Sequence, residues 1–278
     1  GYEIALDLAK TGCHVILAVR NESKGSEAAE KIKSLSGNSR VDVMIVDMSR
    51  IASVQTFANA FAARKLPLHV LVHNAGAPSE RVQMSEEGLE ENMALNYTSV
   101  VLLTSLLLPV MNTSTPSARV VLVSSSAHFQ GKREVALSLA DCEQQISGWV
   151  LYGSSKLNLT AYGESLAKKL SQAKSMVSVC SLDPGFVATP FYTKELPFPI
   201  SIFAKLVSLH GKTPEEGAHS ALYACLSKEP LPNGTYLADT LESTPSVRVR
   251  DAAFQEELMR NTTTKLQKVA PWWDGKWF

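Results

Sequence analysis

Short, largely apolar runs alternate along the chain with longer stretches whose apolar positions recur at helical spacing. Cys13 to Val19, Val41 to Val46 and Leu68 to Val72 are of strand length, and Arg119 to Ser124 and Met176 to Leu182 continue the series. Between them, Ser53 to Arg64 places Val54, Phe57, Ala58 and Phe61 on one face, the period of an amphipathic helix. Strands that are apolar throughout, separated by helix-length segments, predict a parallel sheet covered on both faces. Such sheets bind ligands beyond the carboxyl ends of their strands. Polar residues gather at those ends: Arg20-Asn21 after Val19, Asp47-Met48-Ser49 after Val46, Asn74-Ala75-Gly76 after Val72, Ser124-Ser125 after Val123, and Asp183-Pro184-Gly185 after Leu182. The five ends are expected to converge on one crevice.

One pair of residues gives that crevice a chemistry. Tyr152 and Lys156 stand four residues apart, so a helix over Leu151 to Leu170 sets phenol and ammonium on one face, a turn apart. An unperturbed tyrosine titrates near 10 and is a poor base at neutral pH, but a neighbouring cation stabilises the phenolate. A serine hydroxyl at a strand end, Ser125, could hold a substrate oxygen within reach of the phenol, the geometry of general acid-base catalysis. Tyr-x-x-x-Lys alone arises by chance on many helices, and its weight comes from the order of elements around it.

The chain resembles the short-chain dehydrogenase/reductase family over nearly its whole length, and within it the retinol-dehydrogenase-like and WW-domain oxidoreductase-like branch. The matching segments are His73-Asn74-Ala75-Gly76, Asn92-Met93-Ala94-Leu95-Asn96, Val123-Ser124-Ser125, Tyr152-Gly153-Ser154-Ser155-Lys156 and Pro184-Gly185-Phe186-Val187-Ala188-Thr189. The resemblance implies a Rossmann-type doubly wound parallel sheet and a nicotinamide cofactor. It implies that Tyr152 is the acid/base, that Lys156 lowers its pKa and holds the nicotinamide ribose, and that Ser125 polarises the substrate carbonyl. Asn96 would position a relay water. Asn74, Ala75 and Gly76, with Asp47 and Met48, would line the adenosine side, and Pro184, Gly185, Val187 and Thr189 would border the nicotinamide. An acidic residue after the second strand favours NAD, whereas an arginine there accommodates a 2′-phosphate. This chain has Arg20, whose guanidinium matches phosphate in a bidentate way, so NADP(H) is favoured over NAD(H). A solvent-facing arginine at a strand end is the plainer reading.

The family begins with a strand and a glycine-rich turn, Thr-Gly-x-x-x-Gly-x-Gly, whereas here Gly1 stands where the last of those glycines falls. An amino-terminally truncated sheet, lacking a central strand and most of the turn that receives the pyrophosphate, is therefore expected. Its exposed strand edges would be open to wrong pairing. A fragment, a spliced product or a degenerate relative would each read this way.

Composition narrows the rest. At 278 residues and 45% hydrophobic, the chain can bury a full core as one domain, residues 1–278. With 27 basic and 27 acidic residues and no basic run, nucleic acid is not an expected partner. Cys13, Cys142, Cys180 and Cys225 lack paired spacing and read as reduced residues of an intracellular protein, cytoplasmic or facing the cytosol on the endoplasmic reticulum. The histidines, His73 and His128 among them, show no metal-ligand spacing, and no metal site is expected. Val100 to Met111 reads as too short to span a bilayer and as a core or interface helix, which with Leu151 to Leu170 could form a homodimer face. Membrane association would come through an upstream segment. An insert between Ser125 and Tyr152 should wall the substrate pocket. Residues 186–212, with Phe191, Tyr192, Phe198 and Phe203, look like the family's substrate loop and suit a lipophilic carbonyl or alcohol such as a retinoid, steroid or lipid, or equally ordinary packing. The Trp-rich tail 270–278 either docks on a membrane or partner, or folds back over the domain.

Two rival classes remain. An esterase would need Gly-x-Ser-x-Gly, which is absent. A catalytically impaired relative acting as a scaffold is the more serious alternative, and cofactor binding separates it from an enzyme. The reading favoured is an NADP(H)-dependent oxidoreductase interconverting a carbonyl and an alcohol.

Overall fold

A computed structural model describes residues 1–78, 82–114, 117–138, 146–188, 211–228 and 231–276. The chain opens with helix α1 (Tyr2–Lys10) and then alternates: β1 (Val15–Val19), α2 (Glu22–Ser36), β2 (Val41–Ile45), α3 (Ile51–Ala63) and β3 (Val70–His73). A one-turn helix α4 (Glu91–Met93) runs through a π-helical turn (Ala94–Thr98) into α5 (Ser99–Ser114). Then come β4 (Arg119–Val123), a 3₁₀ turn (Ser126–Gln130), α6 (Arg133–Ser138), α7 (Gly148–Gln172) and β5 (Ser178–Asp183). Helix α8 (Pro214–Leu226), β6 (Thr235–Ala238), the two-residue β7 (Leu241–Glu242) and α9 (Ala252–Val269) complete it. Each apolar run read from the sequence is a strand, with ends shifted by one or two residues. Helix α3 starts two residues before the expected Ser53, because the Glu87 carboxylate accepts from the Ile51 N–H at 3.2 Å and satisfies the helix start.

The sheet is in two pieces. Strands β1 and β2 pair in parallel as a two-stranded sheet, while β3, β4, β5 and β6 form a parallel run to which β7 adds antiparallel. Among the described residues no ladder joins β1 to β3, so both carry an unpaired edge. Helix α1 bridges the pieces through its two faces. Ile4 packs with Val121, Leu182 and Ala218 beneath the larger sheet, and Ala5, Leu6 and Ala9 pack with Val15, Ile32 and Val41 against the smaller one.

On the opposite face a continuous core joins α3, α5, α7 and α9 across both sheets, from Met44 and Val54 to Leu258 and Trp273. By length and composition the unbroken helix Glu91–Thr113 could cross a bilayer, longer than the apolar run alone suggested. Most of it lies buried inside the domain, which is the environment of a core helix. Helix α7 is buried almost all round, and α9 contributes to its cover through Phe254 and Leu258. The tail folds back: Trp273 is 4% exposed, and its indole N–H donates to Ser105 Oγ of α5 at 2.8 Å. Trp277 and Phe278 lie outside the described residues.

Candidate active site

Helix α7 supplies the central pair, and its local sequence explains how. Ser147 caps it, its Oγ accepting from the Val150 N–H, so the helix begins one turn before Tyr152. Tyr152 and Lys156 then lie on consecutive turns, with the Lys156 Nζ 5.7 Å from the centre of the Tyr152 ring. Both are almost wholly buried, yet both line a cavity of about 350 Å³ together with Ser125, Asn74, Gly76, Asp183, Pro184, Gly185 and Val187. Lys156 Nζ donates to the Val123 carbonyl at 2.8 Å. Burial pulls its pKa down to about 8, with the Asp183 carboxylate opposing that shift. An ammonium so shifted is mostly protonated at neutral pH.

The π-turn carries Asn96, and widened turns of this kind recur at functional sites. Its amide is used entirely within the protein: Oδ1 accepts from the Ala77 N–H at 3.1 Å, and Nδ2 donates to the Ala77 carbonyl at 3.2 Å and to Ser155 Oγ at 3.0 Å. Ser155 in turn donates to the Tyr152 carbonyl at 2.8 Å. Asn96 therefore fastens the loop after β3 to the turn of α7 that bears Tyr152, and stands behind the cavity lining. Gly76 lies between these groups. A Cβ there would come to 3.0 Å from both Asn96 Oδ1 and Lys156 Nζ, so only glycine leaves this floor open.

Ser125 follows β4 in an extended conformation, φ −169° and ψ 152°, half-buried at the cavity wall. Trp149, which the sequence reading did not single out, lays its indole 5.5 Å from the Tyr152 ring and donates to Gln130 Oε1 at 3.0 Å. On the far side of the cavity Gly185 adopts φ +78°, where a Cβ would also meet Asp239 Oδ1 at 3.0 Å. The segment after it is held by a parallel bridge between Val187 and Lys212 and by an ion pair from Lys212 to Asp239. Thr189 and residues 189–210 of the expected substrate loop lie outside the described residues, as do residues 139–145 of the insert before Tyr152.

The adenosine side is looser. Arg20 is exposed at the carboxyl end of β1, followed by Asn21, whose side chain caps α2 by accepting from the Lys24 N–H at 2.9 Å. Asp47 spends its carboxylate on the N–H and hydroxyl of Ser49, at 3.0 and 2.6 Å, while Met48 is buried. Asn74 and Ala75 are exposed, and Gly1 abuts Asn74 so closely that a Cβ on it would lie 2.7 Å from Nδ2. Arg20, Asp47 and Met48 do not line the cavity that holds Tyr152, although Gly1, Asn74 and Gly76 do.

A parallel α/β sheet with a tyrosine, a lysine and a serine around a strand-end crevice defines a class of nicotinamide-dependent oxidoreductases. Residues 1–197 match the family model described as short chain dehydrogenase. Human polyprenol dehydrogenase is 36% identical over 235 residues, covering 82% of this chain and 70% of that protein. Human retinol dehydrogenase 12 is 34% identical over 260 residues, covering 93% of this chain and 80% of its own length. Among solved structures, a protein of Mycobacterium paratuberculosis superposes with a TM-score of 0.75 at 26% identity, over 96% of this chain and 89% of that one. L-sorbose reductase from Gluconobacter frateurii, complexed with NADPH and L-sorbose, shares the fold with a TM-score of 0.66 at 21% identity, over 86% of this chain and 89% of that one. The chain belongs to the short-chain dehydrogenase/reductase family and is an oxidoreductase of that family.

Proposed function

We propose that the chain interconverts a carbonyl and an alcohol on a small lipophilic substrate, using NADP(H) in preference to NAD(H), with Tyr152 as the acid/base. The observation that carries this reading is the meeting of Tyr152, Lys156 and Ser125 on one cavity at the strand ends. The residues present fit the nicotinamide half of the cofactor: Gly76 and Gly185 keep the floor open, and Lys156 presents a donor beside them. When bound, the cofactor supplies or accepts the hydride. In the reducing direction Ser125 holds the substrate oxygen and Tyr152 gives it a proton. Lys156 stabilises the phenolate left behind, and oxidation reverses these steps. The preference for NADP(H) rests on Arg20, exposed and next to the cap of α2, with a guanidinium suited to a phosphate.

Substrate class is supported by two features. The half-buried indole of Trp149 packs beside the Tyr152 ring, apolar surface next to the proposed acid/base, and the chain is similar to dehydrogenases named for polyprenol and retinol. A site on the cytosolic face of the endoplasmic reticulum would suit such a substrate, and Cys13, Cys180 and Cys225 are free thiols, as a reducing compartment requires.

Purified chain supplied with NADPH and a long-chain aldehyde is expected to consume both, and Tyr152→Phe to lose turnover by about 10²–10⁴-fold. Full turnover in that variant would remove Tyr152 from the chemistry. A binding or scaffold role is the second reading. It predicts a folded chain that binds neither cofactor.

A further inference from the structure

We propose that His128 is a positioning residue for Ser125, tying the backbone after the serine to the carboxyl-terminal segment so that the serine hydroxyl faces the substrate oxygen. This rests on the reading of Ser125 given above. The Ser125 Oγ accepts from the Ala127 N–H at 3.2 Å, which occupies one lone pair and leaves its only hydrogen available for a substrate oxygen. The Ser125 carbonyl accepts twice from His128, from the backbone N–H at 3.0 Å and from ring Nδ1 at 2.7 Å. The opposite nitrogen, Nε2, accepts from the Ser246 N–H at 3.0 Å, a contact spanning 118 residues.

A ring that donates at Nδ1 and accepts at Nε2 is neutral, because an imidazolium has no acceptor. The surroundings agree. The residue is wholly buried, its ring 4.1 Å from that of Phe129 and 5.3 Å from that of Tyr236 in β6, and burial lowers its pKa against the opposing pull of the Ser125 carbonyl and of Asp183 at the end of β5. The same carboxyl-terminal segment makes two further ties, from Arg248 to the Phe129 carbonyl at 3.4 Å and to the Gly131 carbonyl at 3.0 Å. Gly131 packs so closely on α7 that a Cβ there would lie 2.7 Å from the carbonyl oxygen of Gly153, the residue after Tyr152. Residues 128–131 thus form a short clasp between the serine and the tyrosine, held from outside by 246–248.

A double-mutant cycle tests whether His128 acts through Ser125. We expect His128→Leu to lower kcat for carbonyl reduction by about tenfold with NADPH affinity unchanged. In a Ser125→Ala background the same change should cost nothing further. Losses that simply add would overturn the proposal and leave His128 as ordinary core packing. His128→Asn keeps an N–H near the place of Nδ1 and should restore most of the kcat lost in the leucine variant; no rescue counts against the proposal. If the unaltered chain turns nothing over, the reading of Ser125 fails, and nitrogen NMR of the labelled imidazole then decides the remaining point. A neutral Nδ1–H ring throughout the range in which an ordinary histidine titrates is the expected result. A ring that protonates in that range, or the other tautomer, overturns the assignment.

Discussion

The two sides of the crevice are built differently. On the catalytic side Tyr152, Lys156 and Asn96 are at most 5% exposed, and Asn96 and Lys156 are bonded to backbone on neighbouring elements. They stand above a sheet of five paired strands. On the adenosine side Arg20, Asn74 and Ala75 are exposed, and among the described residues β1 and β2 pair only with each other. Burial and bonding fix proton-transfer groups to within the small distances that chemistry requires. A nucleotide's far end needs only charge and shape, and can be met by exposed groups. The difference also locates the weak point, because local opening follows sparse burial and unpaired edges.

The largest effect should come from loosening the catalytic side at a distance. Trp273 is buried against α5 with its N–H on Ser105, so Trp273→Ala removes a large core side chain and a hydrogen bond. A loss of about 3–5 kcal/mol in denaturant unfolding is expected, with hydrogen exchange quickening in α5 and α7 before β1 and β2. A change confined to the two-stranded sheet would break the comparison.

Lys156→Met should separate function from stability. Turnover is expected to fall by about 10²-fold, close to 2.7 kcal/mol, while the cofactor-free chain becomes more stable at neutral pH by roughly 1–3 kcal/mol because a buried charge is removed. Lys156 titrates at about 8 in the folded chain against an ordinary 10.5, so between those values the unfolded state holds more protons. Stability relative to the methionine variant therefore rises with pH through that window and is lowest below it. Equilibrium unfolding at several pH values would show the gap closing upward; a gap that widens would contradict the burial of the charge.

A smaller effect is expected on the looser side. Arg20→Asp should weaken NADPH by about tenfold, close to 1.4 kcal/mol, and leave NADH nearly unchanged, as measured by calorimetry. Equal weakening of both would remove Arg20 from cofactor choice.

Most of this architecture was legible. The strands from Val15 to Asp183 announce themselves as apolar runs, and Tyr152, Lys156 and Ser125 are brought to one cavity as their positions at a helix face and a strand end suggest. Strands β6 and β7 were not read, since four residues after Asn233-Gly234 and two more are too short to show a period. Helix α9 did carry a signal in the Asp251 cap and in Phe254, Leu258 and Leu266 on one face. The residues that support the site were hidden for a different reason. Ser155 is read only through Asn96, 59 residues away, and His128 only through Ser246, and no local pattern encodes such pairs. Helices α5 and α7, where a homodimer face was an expectation, contribute many side chains to the chain's own core together with α9 and Trp273.

The central claim is that the crevice holds NADP(H). Calorimetric titration of NADPH, then NADH, into the folded chain tests it most directly. Saturable NADPH binding, weaker NADH binding, and loss of the difference in Arg20→Asp are expected. A folded chain that binds neither would contradict it and leave the scaffold reading standing.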